Sequence, residues 1–215
     1  MDILNRFDKI KQEIQIQQHN QKIDIIAVSK TFSLEHIMPL INHGHRHYGE
    51  NKLQEAESKW SNVKKNIKDI KLHMIGRLQS NKVKKVVDLF DFVHSLDSEK
   101  LANEFSKREL EKKKKLKYFI QINLGSEDQK GGLEEKELNN FYKHCSIKLG
   151  LNVLGLMAIP PNDGSPEKYF KRIFELNKKI GLNSLSIGMS NDYIKAIEHG
   201  ATHVRIGSSI FGKRA

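Results

Sequence analysis

Short, almost continuously apolar runs recur along this chain, separated by longer stretches with helical spacing of apolar residues. The first run, residues 23–29, reads IDIIAVS, and the last, residues 202–207, reads THVRIG. Strands buried on both faces have this continuous pattern, and strands that alternate with helices form parallel βαβ units. About eight such units can be counted, which predicts an α/β fold of the (β/α)8 TIM-barrel type. An open doubly wound sheet is the alternative.

The predicted barrel is expected to use the whole chain. Residues 1–20 are predicted to form an N-terminal helix, and no change of composition marks a boundary further along the 215 residues. Residues 1–215 are therefore expected to form a single domain, which is long enough to bury a sizeable core.

The formal net charge of +11 can indicate a nucleic acid, an anionic lipid or an anionic small ligand as a partner. The charge is spread widely, and its densest run, Lys112 to Lys115, is expected to be the solvated end of a helix. No aromatic residues interleave with this run to form a stacking platform for single strands. Nucleic-acid binding is therefore ranked last among the candidate functions.

Three features of the sequence indicate the compartment in which the protein is expected. No apolar run is long enough to cross a bilayer, and the N-terminus has no apolar signal core. The single cysteine, Cys145, cannot form an internal disulfide. These features favour a reduced, cytoplasmic setting without a membrane partner.

The last two predicted loops have the composition of a phosphate site. Each contains a glycine, then a hydroxyl residue, then a helix, and this fold commonly binds phosphate after strands seven and eight. Glycine lets the backbone approach a ligand, and a serine hydroxyl adds a donor. Ser190, Gly207 and Ser208 are thus candidate phosphate ligands; the alternative is that both serines only cap helices.

Lys30 is unusual by its position at the end of the first apolar strand. A lysine that water cannot easily solvate there has a lowered pKa and becomes a nucleophile toward aldehydes, which is how Schiff-base lysines arise. The alternative is that the strand simply ends at this point and Lys30 reaches water.

Six longer motifs resemble one family. They are AVSKTFSLEHI, HYGENKLQEA, HMIGRLQSNKV, VHSLDS, GLMAIPP and LSIGMSNDYIKAIEHGATHVRIGSSIFGKR. In this order they are similar to the pyridoxal phosphate homeostasis proteins, also called the YggS or PROSC family, from about Ile25 to Arg214. The resemblance implies a barrel like the N-terminal domain of alanine racemase, with pyridoxal 5'-phosphate as cofactor.

The resemblance also implies roles for individual residues. Lys30 would carry the cofactor as an aldimine, Arg205 would face the pyridine nitrogen, and Asn51 would lie beside the ring. Ser190, Gly207 and Ser208 would hold the phosphate. Met157, at the end of the sixth strand, is included among the cofactor contacts by position. The chain departs from the family at Ala158 and Ser208, where threonine is common.

The resemblance leaves a carrier and an enzyme to be distinguished. An arginine opposite the ring nitrogen disfavours the pyridinium form, and no second acid/base domain follows the eighth strand, so buffering or delivery of the cofactor to apo-enzymes is expected rather than catalysis. A weak amino-acid racemase is the alternative. A monomer is expected.

Other conspicuous residues have simpler interpretations. Lys130, predicted near the barrel mouth, is interpreted as a mobile surface residue. His73 and His94 are predicted to be hydrogen-bonded core residues. His43, His45 and His47 alternate, but no carboxylate or thiol completes a metal set, so no metal is expected.

Overall fold

The computed structural model describes residues 2–17, 21–125 and 131–213. In this part of the chain, parallel strands pair in sequence order and close into a barrel, which confirms the predicted fold class and excludes the open sheet. The strands are β1 Asp24–Val28, β2 His47–Glu50, β3 Lys71–Met74, β4 Phe92–Leu96, β5 Lys117–Gln121, β6 Asn152–Met157, β7 Ser184–Met189 and β8 His203–Ile206.

Helices connect the strands and cover the outside of the barrel. They are α1 Ile3–Gln17, α2 Leu34–Asn42, α3 Leu53–Asn66, α4 Val83–Leu89, α5 Glu99–Lys112, α6 Leu138–Lys143, α7 Pro166–Lys179, α8 Tyr193–Glu198 and α9 Ser208–Phe211. Short 3-10 turns at Ser80–Lys82 and Glu135–Glu137 lead into α4 and α6, and a π-helical turn, His144–Lys148, follows α6. Among the described residues, no helix combines the length and apolar character needed to cross a bilayer.

The ends of α2 follow from its sequence. Ser33 is the N-cap, and its hydroxyl accepts the backbone N–H of His36 at 3.3 Å. Pro39 lies inside the helix, which continues through it to Asn42. Gly44 follows with a φ of 94°, a left-handed conformation that glycine adopts without strain.

The basic run behaves as the end of a helix, as expected from the sequence. Lys112 is the last residue of α5 and forms an ion pair with Asp88 at 2.8 Å. Lys114 donates to the carbonyl of Phe90 at 2.9 Å. Lys113 has a left-handed φ of 50° and turns the chain toward β5. These contacts join the C-terminal end of α5 to the C-terminal end of α4.

Most of the apolar core lies between the strands and the helices. It is one contiguous cluster, and Trp60 of α3 is fully buried in it against the ring of Tyr48, with centroids 4.7 Å apart. Phe7, Ile10 and Ile14 give α1 the buried face that holds it against α8 and α9. Burial of these side chains supplies the main driving force for folding.

The interior of the barrel has a different chemistry. Phe92, Phe119 and Met157 form a second, small apolar cluster there. His73 stacks on Phe92 with centroids 4.1 Å apart, and His94 stacks on Phe119 with centroids 4.4 Å apart. His73 and His94 are fully buried and hydrogen-bonded, which confirms their interpretation as core residues.

Burial disfavours the charged form of these histidines. It holds the pKa of His73 and of His94 well below the ordinary value, and neighbouring histidines lower both further. Burial also lowers the pKa of His203 to about 4, against the opposing effect of Asp24. The folded barrel therefore keeps all three rings neutral at pH values where an unfolded chain takes up protons.

We predict that acid destabilises the protein steeply from about pH 6.5 downward. Below that pH the unfolded chain binds protons that His73, His94 and His203 do not bind in the barrel, so the free energy of unfolding falls as the pH falls toward about 4. Each ring contributes about 1.4 kcal/mol per pH unit in this range. Urea denaturation at pH 7.5, 6.5, 5.5 and 5.0 measures the slope.

Matched variants separate titration from packing. His203→Gln should reduce the slope by about 1.4 kcal/mol per pH unit. Phe119→Leu disturbs the same interior without removing a titratable group, so it should lower stability equally at every pH. A wild-type stability that stays constant between pH 6.5 and 5 would contradict the prediction.

Candidate functional site

The closed barrel brings the ends of distant strands to one face. Lys30 follows β1, Asn51 follows β2, Ser190 follows β7, and Gly207 and Ser208 follow β8. Strand β8 pairs with both β7 and β1, and β1 pairs with β2. Four neighbouring loops at the C-terminal ends of the strands therefore carry these five predicted site residues.

The loops after β7 and β8 are joined by hydrogen bonds. The hydroxyl oxygen of Ser190 accepts the backbone N–H of Gly207 at 3.2 Å and that of Ser209 at 3.3 Å. The Ser209 hydroxyl donates to the carbonyl of Ser190 at 3.3 Å. These bonds hold the two loops together, and the Ser190 hydroxyl, whose oxygen accepts both N–H groups, has its own hydrogen as a donor suited to an anionic oxygen.

The serines do not act as caps of their own helices. Asp192 is the N-cap of α8, and Gly207 is the N-cap of α9. Neither serine is therefore the N-cap residue of the helix that follows it, although the Ser190 hydroxyl accepts the N–H of Ser209 in the first turn of α9. Gly188, on the approach to Ser190, has a φ of 88°, and a Cβ there would lie 2.6 Å from that of Ala196. This position in the loop requires glycine.

Arg205 of β8 points into the barrel and is almost fully buried. Its Nη1 donates to both the carbonyl and the hydroxyl oxygen of Ser186 at 2.7 Å, and its Nη2 donates to the carbonyl of Ala158 at 3.0 Å. Burial lowers the pKa of Arg205 to about 10, so the guanidinium remains charged at neutral pH. Since Ala158 contributes its backbone carbonyl, this contact does not depend on the side chain at that position.

Lys30 lies between two residues that are each hydrogen-bonded to a glutamate. Ser29 donates its N–H to the carbonyl of Gly49 at 3.0 Å and its hydroxyl to Glu50 at 2.7 Å. Thr31 has a left-handed φ of 69°, and its N–H donates to Glu55 at 2.5 Å. The backbone on both sides of Lys30 is therefore fixed.

A second lysine, Lys59, forms ion pairs with both of these glutamates. Lys59 of α3 donates to Glu50 and Glu55, each at 2.9 Å, and to the carbonyl of Ser29 at 2.8 Å. The indole N–H of Trp60 also donates to Glu50 at 2.9 Å. Lys59 and Glu50 are buried, so the ion pair is shielded from solvent.

Sequence reasoning did not find Glu50, Glu55 or Lys59. A signal for Lys59 exists: it lies four residues after Glu55, beside Ala56 and Trp60, on the apolar face of α3. A lysine on such a face needs a buried partner. Nothing in the sequence indicates that the partner is Glu50 on a neighbouring strand.

Asn51 and Met157 are placed differently. Asn51 is half-buried directly after β2, and a Cβ at Gly76 would lie 2.3 Å from its carbonyl oxygen, so Gly76 allows the two loops to approach. Met157 is fully buried against the interior phenylalanines, Phe92 and Phe119. Its position is thus part of the barrel floor beneath the loops.

Two other sets of residues considered from the sequence lie elsewhere. Lys130 is outside the described residues. His43 contacts Asp8 at 2.9 Å, His45 the carbonyl of His47 at 2.8 Å, and His47 the ring of His73 at 3.0 Å. In residues 2–17, 21–125 and 131–213, no group of metal-ligating side chains is arranged to hold a metal ion.

A cavity lies away from the predicted site residues. It measures about 870 Å³ and is bordered by the C-terminal ends of α1, α7 and α8, with Phe174, Leu182 and Gly200 among its walls. Leu182 and Gly200 precede β7 and β8, so this groove opens at the N-terminal ends of the strands.

Comparison with known proteins adds independent information. Residues 6–215 match the family model of the alanine racemase N-terminal domain. A pyridoxal phosphate homeostasis protein of Aquifex aeolicus is 39% identical over 199 residues, which cover 88% of this chain and 86% of that protein. A protein of the same name from Haemophilus influenzae is 34% identical over 229 residues, covering 100% of this chain and 97% of that protein.

A solved structure is similar over nearly the full length. PipY of Synechococcus elongatus, solved with PLP bound, superposes with a TM-score of 0.89 at 29% identity, covering 98% of this chain and 100% of that one.

We predict that Lys59→Met strongly destabilises the protein. The substitution leaves the buried Glu50 carboxylate without a cation, a loss that typically amounts to about 3–5 kcal/mol. Chemical denaturation at pH 7.5 measures the change. Lys65→Met, on the exposed side of the same helix, is the matched control and should change stability by less than about 0.5 kcal/mol.

A double variant tests whether Glu50 is the cause. Glu50→Gln removes the buried charge, so Lys59→Met combined with Glu50→Gln should be more stable than the sum of the single effects implies. Strictly additive effects would show that the two side chains are not coupled.

Proposed function

Since the chain belongs to the family of pyridoxal phosphate homeostasis proteins, we propose that it binds pyridoxal 5'-phosphate and takes part in intracellular homeostasis of this cofactor. The proposed site is the C-terminal face of the barrel, with Lys30 as the residue that forms the Schiff base. The observation that carries the proposal is the convergence of Lys30, Arg205 and the Ser190–Gly207 loop pair on neighbouring strands.

The described residues fit the phosphate end of the cofactor. Since the Ser190 oxygen accepts the N–H groups of Gly207 and Ser209, its own hydroxyl hydrogen is proposed as a donor to the phosphate dianion, together with the hydroxyl of Ser208. A Cβ at Gly207 would lie 3.4 Å from the Cβ and carbonyl oxygen of Val28, which is ordinary van der Waals contact. Because Gly207 has no side chain, a ligand can approach its backbone closely.

The residues also fit the ring and the aldehyde. Pyridoxal phosphate supplies an aldehyde that a lysine amine can attack and a ring that draws electrons when its nitrogen is protonated. Lys30 follows the end of β1, and the residues on either side of it are hydrogen-bonded to Glu50 and Glu55. Arg205 carries donors only, and it is proposed to donate to the ring nitrogen. Asn51 and Met157 are proposed to border the ring.

We predict that Lys30→Ala abolishes the covalent attachment of the cofactor. Wild-type protein mixed with pyridoxal phosphate should absorb in the violet, and borohydride should fix the added mass on the peptide that contains Lys30. Absorption spectra and peptide mass spectrometry, with and without borohydride, measure both properties.

Two other lysines provide controls. Lys52→Ala removes an exposed lysine at the same end of the barrel and should leave the spectrum unchanged. Lys130→Ala tests the other lysine considered from the sequence. An added mass that remains in Lys30→Ala and disappears in Lys130→Ala would place the attachment on Lys130 and overturn the assignment.

The protein is further proposed to hold the cofactor without turnover. Arg205 is charged at neutral pH, can only donate, and opposes a positive charge on the ring nitrogen. A ring whose nitrogen stays unprotonated is a weak electron sink, which limits loss of a proton or carboxyl group from a bound amino acid. The names of the relatives, homeostasis proteins, support a role of this kind.

We predict that cofactor-loaded protein racemises L-alanine or L-serine no faster than the loaded Lys30→Ala variant. Chiral chromatography of long incubations measures the D-isomer. Sustained turnover by the wild type that disappears in Lys30→Ala would instead establish the weak racemase.

The proposal includes a setting and partners. Residues 1–215 act as one cofactor-binding unit, a monomer that exchanges pyridoxal phosphate with apo-enzymes. The lone cysteine, Cys145, is buried, and burial raises the pKa of its thiol to about 12, which keeps it unreactive. A chain with this cysteine content is suited to the reducing cytoplasm.

A further inference from the structure

Hydrogen bonds connect Arg205 to a line of histidines across the barrel interior. The hydroxyl oxygen of Ser186, which accepts from Arg205, lies 2.9 Å from Nδ1 of His94. Nε2 of His94 lies 2.9 Å from Nδ1 of His73, and Nε2 of His73 lies 3.0 Å from Nδ1 of His47. We name Arg205, Ser186, His94, His73 and His47 the lumen series.

The arginine fixes the direction of the first bonds. A guanidinium has donors only, so the Ser186 oxygen must accept from Arg205. The single Ser186 hydrogen then has His94 Nδ1 as its acceptor among the described residues. If His94 Nδ1 carried a hydrogen instead, the buried Ser186 hydrogen would have no acceptor, at a cost of about 1–3 kcal/mol.

The same direction continues through the histidines. A neutral imidazole carries one N–H, so an unprotonated Nδ1 on His94 places its hydrogen on Nε2, which donates to His73. His73 must then accept on Nδ1 and donate from Nε2 to His47. One arrangement of protons, with Nε2–H on all three rings, satisfies every bond of the series.

We propose that Ser186 is a positioning residue for the cofactor and that the histidines behind it keep its oxygen available as an acceptor for Arg205. This proposal rests on the proposed function, because it takes Arg205 as the partner of the ring nitrogen. The carbonyls of Ser186 and Ala158 can only accept, so they bind Arg205 whichever tautomers the histidines adopt. The Ser186 hydroxyl can accept from one partner and donate to another, so its role depends on where its hydrogen points. The tautomer of His94 decides that direction.

The proton arrangement can be measured without any substitution. Nitrogen-15 NMR of histidine-labelled, cofactor-free wild-type protein at pH 7.5 should show His94, His73 and His47 as neutral Nε2–H tautomers. An Nδ1–H tautomer at His94 or His73 would overturn the proposed direction. Because no cofactor is present, this result is independent of the proposed function.

The positioning role is tested by removing the hydroxyl. Ser186→Ala should bind pyridoxal phosphate about tenfold more weakly, the effect of one hydrogen bond to a charged group. It should also shift the absorption of the bound cofactor and its pH response, and release His94 from the Nε2–H tautomer. Ser186→Thr, which keeps a hydroxyl, should restore the wild-type spectrum.

Controls separate this role from loss of folding and from loss of phosphate contacts. If Ser186→Ala does not fold, Ser186→Cys, with similar shape and poor hydrogen bonding, replaces it. Ser190→Ala should weaken binding through the phosphate but leave the absorption of the bound cofactor unchanged. Folded Ser186→Ala or Ser186→Cys protein with wild-type spectrum, pH response and affinity would overturn the positioning role. Failure of the wild type to label on Lys30 would overturn the proposed function instead.

Discussion

The pairing of the first strand with the last is the contact on which the site depends. Residues Asp24 to Ala27 of β1 lie in register with His203 to Ile206 of β8. This pairing places the end of β1, and with it Lys30, beside the loop that begins at Gly207. Without closure, two halves of the proposed cofactor site would lie at opposite edges of an open sheet. Closure of the barrel therefore matters for the site because it brings the first and last strands of the chain together.

Closure also explains the polar interior. Many barrels of this fold fill the lumen with layers of branched aliphatic side chains. Here stacked histidine and phenylalanine rings occupy it, and the histidines reach each other across β2, β3 and β4. A buried ring nitrogen needs a partner, so each histidine requires the next, and the line ends at Ser186 and Arg205. Supporting the charged arginine thus makes the fold dependent on neutral histidines.

The sequence predicts the fold well because the alternation of strands and helices is visible as a pattern of apolar residues along the chain. It also indicates Lys30, Ser190 and Gly207, since the end of a strand and a glycine-containing loop are local features. The lumen series could not be derived this way. His73 and His94 are visible as buried histidines, but their contacts depend on register between strands and on which face turns inward. The same holds for Lys59 of α3, because its partner Glu50 lies on a different element, the strand β2.

The described residues hold the proposed site from three directions by three kinds of interaction. Backbone N–H groups and hydroxyls join the loops around Ser190, the ion pairs of Lys59 help fix the backbone beside Lys30, and Ser186 with the histidines of the lumen series supports Arg205. These supports lie in different elements: the β7 and β8 loops, helix α3, and the barrel interior. Residues in separate networks are expected to act additively. Affinity for phosphate, attachment at Lys30 and the electronic state of the ring can therefore be adjusted independently, which suits a protein that must both hold its cofactor and release it.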